Sequence, residues 1–207
     1  GNTNWENIGS GETYKIVSSD RSAKIRLQQD LDGAKFYSNS LQVTSDEFDL
    51  AYGLRRFGDL SGSIKWHGGV LAPNGKIYGP PRDSETVLEI DPTNLDSQGF
   101  PTISTFGSLS GSGKWYGGVL APNGKIYGIP FSSTSVLEID PVDRTTTTFG
   151  SLSGSGKWYG GVLAPNGKIY GIPFSSTSVL EIDPVDRTTT TFGSLSGSGK
   201  WYGGVLA

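Results

Sequence analysis

The 207-residue chain has no cysteine, no methionine and a single histidine, His67. Without cysteine there can be no disulfide, no thiol nucleophile and no thiolate metal site. One histidine cannot make a multi-histidine centre, so neither a metal nor a cofactor is expected. Basic residues are also scarce, with 17 Lys and Arg against 20 Asp and Glu and a formal charge of −3. Each perfect repeat is neutral, since Lys114, Lys125 and Arg144 balance Glu138, Asp140 and Asp143. No face is built to neutralise phosphates, which argues against a nucleic-acid partner. No apolar run approaches the ~18 residues of a membrane span, and membrane insertion is not expected. The sequence opens on Gly1 with no visible leader, which suits a processed start. It also has no Asn-X-Ser/Thr sequon. The compartment stays open, with an extracellular or secreted setting favoured.

What the chain has in excess is turn residues, with 31 glycines and 11 prolines beside 34% apolar residues. That mixture suits an all-β protein of many short strands. It also has a repeat. "GKWYGGVLAPNGKIYGIPFSSTSVLEIDPVDRTTTTFGSLSGS" runs for 43 residues from Gly113 and recurs unchanged from Gly156. The anchor Trp-Tyr-Gly-Gly falls at Trp115, Trp158 and Trp201, and an older copy reads Trp66-His67-Gly68-Gly69. The older copy carries six extra residues between Pro92 and Phe106, where a hairpin tip tolerates insertion cheaply.

One copy reads directly as four strands. Trp115 to Ala121 is the first, and Asn123-Gly124 then supplies a tight turn, expected to be type I′. Lys125 to Phe131 is the second strand and Ser135 to Asp140 the third. Pro141, which cannot donate to a ladder, ends that third strand. Thr145 to Phe149, rich in β-branched residues, is the fourth. "GSLSGSG" is expected to be a flexible link, since it lacks the ending of a phosphate-binding loop.

Four short antiparallel strands in ~40–45 residues make the blade of a β-propeller. The innermost strand must be slim, and Gly117-Gly118 meets that demand. The expected division is 58–106, 107–149 and 150–192 as blades, with 193–207 as the inner strand of a further one. Residues 20–57 read as a degenerate blade or a β-rich N-terminal portion, through "LDGAKFYSNS", and 1–19 remain unplaced. The phrasing "APNGKIYGIP…SVLEIDP…TTTTFG" resembles the NHL, YVTN and virginiamycin B lyase-like propellers. The resemblance covers about 58–207 and implies blade construction, not activity. The ring is expected to be incomplete, closed by the N-terminal segment or, as favoured, by the rest of a longer chain or by other copies.

Candidate chemistry is sparse. His67 replaces the tyrosine of the other copies and is read as a blade variant, so no catalytic residue is assigned and an enzyme is not favoured. Glu138, with Glu89 and Glu181, needs a partner such as Lys125 on the neighbouring strand. Asp140 is expected to cap the following turn. Trp115 is expected to wedge between blades, because large aromatic rings dominate packing. The alternative makes Trp66, His67, Trp115, Tyr116, Trp158, Tyr159, Trp201 and Tyr202 a ring of shallow sites that stack on sugars. Tyr116 is there the ring expected to be exposed.

Two functions follow from different classes. The first is a non-enzymatic, lectin-like binding propeller with one weak glycan site per blade, gaining avidity by repetition. The second is a structural repeat in a larger assembly. A weaker third is an enzyme with its site in the N-terminal portion, around Asp30, Asp32, Asp46 and Glu47.

Overall fold

A computed structural model describes residues 57, 58 and 60–206 in full and, between 24 and 55, the backbone of six short strands. The chain divides into two compact units, 1–59 and 60–207. In the first unit, β1 (Lys24–Ile25) pairs with β4 (Leu41–Gln42), β2 (Gln28–Leu31) with β3 (Ala34–Tyr37), and β5 (Phe48–Asp49) with β6 (Leu54–Arg55). Among the described residues these form three two-stranded ladders. Asp30 lies in β2. Residues 1–19, and Asp32, Asp46 and Glu47, lie outside the described residues.

The second unit holds three four-stranded antiparallel sheets. The first contains β7 (Val70–Leu71), β8 (Ile77–Gly79), β9 (Val87–Leu95) and β10 (Pro101–Phe106). The second contains β11 (Trp115–Leu120), β12 (Ile126–Pro130), β13 (Val136–Asp140) and β14 (Thr145–Phe149). The third repeats it with β15 (Trp158–Leu163), β16 (Ile169–Pro173), β17 (Val179–Asp183) and β18 (Thr188–Phe192). Each sheet draws its strands from one copy of the repeat, in chain order from the inner to the outer edge. The described residues contain no helix, and the sheets do not close into a ring within this unit. The fold is all-β and propeller-like.

Local chemistry explains the details. Gly124 N–H donates to Ala121 at 3.0 Å, and Ala121 N–H to Lys125 at 2.9 Å. Only Gly124, at φ +78°, is left-handed in this loop. The turn is therefore a type I turn on Pro122-Asn123 followed by a glycine bulge, not type I′, because Pro122 holds φ negative. Asp140 caps as expected: its Oδ1 accepts Val142 N–H at 2.9 Å and Asp143 N–H at 3.1 Å. Proline ends β13 and β17, but β9 passes through Pro92 to Leu95. There the register shifts between Pro101 and Thr102, and a bulge removes the need for a proline donor. The six extra residues thus lengthen the β9–β10 hairpin.

The hydrophobic cores lie between sheets. Trp115 packs with Ala72, Tyr78 and Val87 of the first sheet and Ile126, Leu137 and Ile139 of its own. Trp158 does the same between the second and third. Gly118 is needed here: a Cβ on it would lie 2.8 Å from the Pro80 ring. The Gly68, Gly117 and Gly160 backbones also touch in series, with added Cβ atoms 3.3 and 3.4 Å from the next glycine Cα.

The segment 201–206 is not a strand in this structure. Its backbone has no ladder partner among the described residues, and a strand is defined by its ladder. Lys200 N–H still donates to Phe174 O at 3.0 Å, as its counterpart Lys157 N–H does to Phe131 O at 2.9 Å.

Candidate functional site

The aromatic pairs of the repeat are split by a bulge. Trp115 pairs with Pro130 and Gly118 with Gly128, so Tyr116 and Gly117 together oppose Ile129. Gly117 adopts φ +80°, which turns the chain between the two rings. Trp115 enters the core between sheets, and Tyr116 is sent to a cluster where the inner strands meet. The third sheet repeats the bulge between Trp158 and Gly161.

In that axial cluster His67 stacks on Tyr116, with centroids 4.7 Å apart, and meets Tyr159 edge-on at 5.0 Å. Tyr116 stacks on Phe131 at 3.9 Å, and Tyr159 meets Tyr202 at 5.2 Å. His67 Nε2 lies 2.7 Å from the Tyr159 hydroxyl, a hydrogen bond spanning the first and third sheets. His67 Nδ1 is buried with no hydrogen-bond partner. Arg82 donates from Nε to the Tyr116 hydroxyl and lies over its ring, 5.1 Å from the centroid. Its Nη1 pairs with Asp83 at 3.0 Å. Burial, and then the Arg82 charge, hold the His67 imidazole below its ordinary 6.5.

Tyr116 is only 7% exposed, with one face covered by Phe131 and the other by His67. It is not the open ring that its position beside two glycines suggested. Trp115 and Trp158 are also buried, whereas Trp66, His67 and Tyr159 are half-buried. Trp201 and Tyr202 are the two exposed rings of the eight candidates. Sequence reasoning missed Arg82, Phe131 and Phe174, which complete the axial cluster. The available signal was alignment of the copies, which sets Arg82 where the others have phenylalanine.

A second arrangement surrounds the glycine-rich link. Leu109 N–H donates to Glu85 O at 2.7 Å, and Leu152 N–H to Thr134 O at 2.8 Å. Lys114 Nζ donates to Ser84 O at 2.9 Å and Gly111 O at 2.6 Å. Lys157 Nζ reaches the Phe131, Ser133 and Gly154 carbonyls. The link is thus tied down rather than flexible, because a buried ammonium needs its protons accepted. Burial pushes the Lys157 ammonium down to about 8. Burial also lowers Lys114, against the opposing charges of Asp83 and Glu85.

Between this link and the loop after β12 lies a cavity of about 430 Å³, bordered by Trp115 and Lys114. Hydroxyls dominate its wall, from Ser108, Ser110, Ser112, Ser132, Thr134 and Thr148 among others. All twelve lining residue types recur 43 positions later around Trp158.

These sheets, seams and slim inner strands define a β-propeller. The fold is similar to that of virginiamycin B lyase from Staphylococcus aureus, at a TM-score of 0.51 and 13% identity. That match covers 65% of this chain and 43% of the lyase chain. A catalytically inactive variant of the same lyase with quinupristin gives a TM-score of 0.57 at 11% identity, over 88% of this chain and 67% of that one. The extracellular domain of a one-component system protein from B. thetaiotaomicron gives 0.50 at 13%, over 65% and 19%. The chain spans less than half the length of the first of these lyase chains. No family model matches the sequence. No curated protein matches it either. The likeness is one of fold, and the neighbours differ among themselves in function.

Proposed function

We propose that the protein is a non-enzymatic, lectin-like binding module that takes a glycan at the hydroxyl-lined pockets beside Trp115 and Trp158. The observation that carries this reading is the cavity of about 430 Å³ walled by serine and threonine hydroxyls. Ser108, Ser110, Ser112, Ser132, Thr134 and Thr148 make no side-chain hydrogen bond within the described residues, so their hydroxyls can serve a polyhydroxylated ligand. The repetition of the pocket residues in a second blade supports weak binding strengthened by avidity. This moves the ligand-facing role from the tyrosines to the wall around the tryptophans.

The test is a glycan array followed by calorimetry on the best binder. Ser132→Val together with Ser175→Val should lower affinity at least tenfold while the melting temperature holds. Absence of binding to every glycan, or binding untouched by the double substitution, overturns the reading.

A second reading, a building block of a larger assembly of copies, is supported by a different observation. Trp201, Tyr202, Val205 and Leu206 are 46%, 70%, 88% and 57% exposed. Sedimentation would show concentration-dependent association that Tyr202→Ser reduces; a monomer at every concentration removes this reading.

A further inference from the structure

We propose that the axial cluster is a second binding site, for an oxyanion, in which the Arg82 guanidinium takes the carboxylate of an acidic ligand beside the rings of His67, Tyr116 and Tyr159. It shares no residue with the pocket beside Trp115 and does not depend on the glycan reading.

The first sheet departs from the other two at two positions of this cluster. Arg82 occupies the position of Phe131 and Phe174, and His67 that of Tyr116 and Tyr159. Two sheets fill these positions with rings that pack on one another. Packing therefore does not require a charge here, yet the first sheet supplies one at the point where all three sheets converge.

Arg82 has five N–H donors in a planar fork suited to a carboxylate. Nε serves the Tyr116 hydroxyl and Nη1 serves Asp83, whereas Nη2 has no partner among the described residues. Asp83 is held aside, because its other oxygen accepts Gly113 N–H at 2.6 Å. The guanidinium side chain is 23% exposed, so solvent reaches it.

His67 is held at a cost. Its buried Nδ1 lacks a partner, a loss of the kind that native structures tolerate mainly where something other than packing is selected. Tyr116 and Tyr159 lie against the imidazole, and the Arg82 guanidinium, held on the Tyr116 hydroxyl and paired with Asp83, acts on it through its charge. Burial lowers the imidazole most and the Arg82 charge lowers it further, and that same charge would attract an anion.

Because His67 is the only histidine, its Cε1 proton gives one unambiguous resonance to titrate. Saturating glucuronate should raise the His67 pKa back toward 6.5, by cancelling the Arg82 charge, and neutral methyl glucoside should not. Arg82→Gln should raise that pKa in the free protein and abolish the response to glucuronate. Arg82→Lys, which keeps the charge but not the fork, should weaken glucuronate at least tenfold. Asp83→Asn, which can still accept from Gly113, should tighten it severalfold. Near-UV circular dichroism of the clustered tyrosines checks that each variant is folded. The proposal is overturned if glucuronate gives no saturable shift, if methyl glucoside shifts His67 equally, or if Arg82→Lys binds undiminished.

Discussion

Arg187 Nε lies 3.2 Å from Glu138 Oε2, across the seam between the second and third sheets. The same guanidinium donates to Thr147 Oγ1 at 3.0 Å and lies over Phe149, 5.4 Å from the ring centroid. Glu138 is buried and also meets Lys125 at 2.9 Å. Arg144 repeats the contact on Glu89 at a looser 3.7 Å. Both arginines sit at φ +54°, a left-handed turn that sends the side chain back over the preceding sheet.

The seam contact should be measurable as a coupling energy. A double-mutant cycle on Glu138→Gln and Arg187→Gln, read by urea unfolding, should give about 1 kcal/mol, since the arginine is partly solvated. The cycle on Glu89 and Arg144 should give less, in keeping with its longer distance. Equal couplings, or none, would contradict the geometry.

Glycines with different duties should respond differently to alanine. At Gly118 an added Cβ would lie 2.8 Å from the rigid Pro80 ring, so Gly118→Ala should cost about 1–3 kcal/mol through overpacking. At Gly124 nothing lies within 4 Å, and only the positive φ resists. Gly124→Ala should then cost about 1 kcal/mol. Thermal denaturation of the two variants would rank them.

Alkaline pH should stabilise the fold before it harms it. Lys157 is lowered from 10.5 to about 8 in the folded state. Between those values the unfolded chain holds a proton that the folded chain has released, so stability rises as pH goes from about 8 toward 10. The gain is bounded at about 3 kcal/mol. Lys76, Lys125 and Lys168 are raised by their carboxylate partners, and their contribution is lost only above the ordinary lysine value. Lys157→Met should flatten the rise in urea midpoint over that interval.

Acid should act on the turn caps. Backbone N–H donation from Asp143 and then Val142, outweighing burial, holds Asp140 below the usual carboxylate range. Its stabilising effect is present above the unfolded value of 3.8 and is lost as pH falls through the lower folded value. Asp140→Ala should cost about 1 kcal/mol at neutral pH and nothing further in acid. Unfolding curves at pH 7 and pH 2.5 would check both statements.

The repeat made the sheets legible because each strand is local: alternation, Asn-Gly and proline mark their own edges. Asp140 as a cap and Lys125 as the partner of Glu138 were readable for the same reason, since they join neighbours in one sheet. Arg187 on Glu138 was not readable, because its distance depends on how successive sheets are rotated. Identical copies also give no contrast between a residue that packs within its own blade and one that reaches the next. His67 and Arg82 stand out in the sequence as departures from the repeat. Only the bulge at Tyr116 and Gly117 reveals that both converge on Tyr116.

The arginine clasp gives the stack of sheets a sense of direction. Every sheet presents a glutamate forward, but only the second and third present an arginine backward, because residues 92–105 contain none. Glu181 pairs with Lys168 and meets no arginine among the described residues. The copies are therefore not interchangeable despite their shared sequence. A circular permutant that placed the first sheet after the third would leave Glu181 unclasped, whereas one more identical copy would close the contact. Order along the chain is encoded by a single residue that one copy lacks.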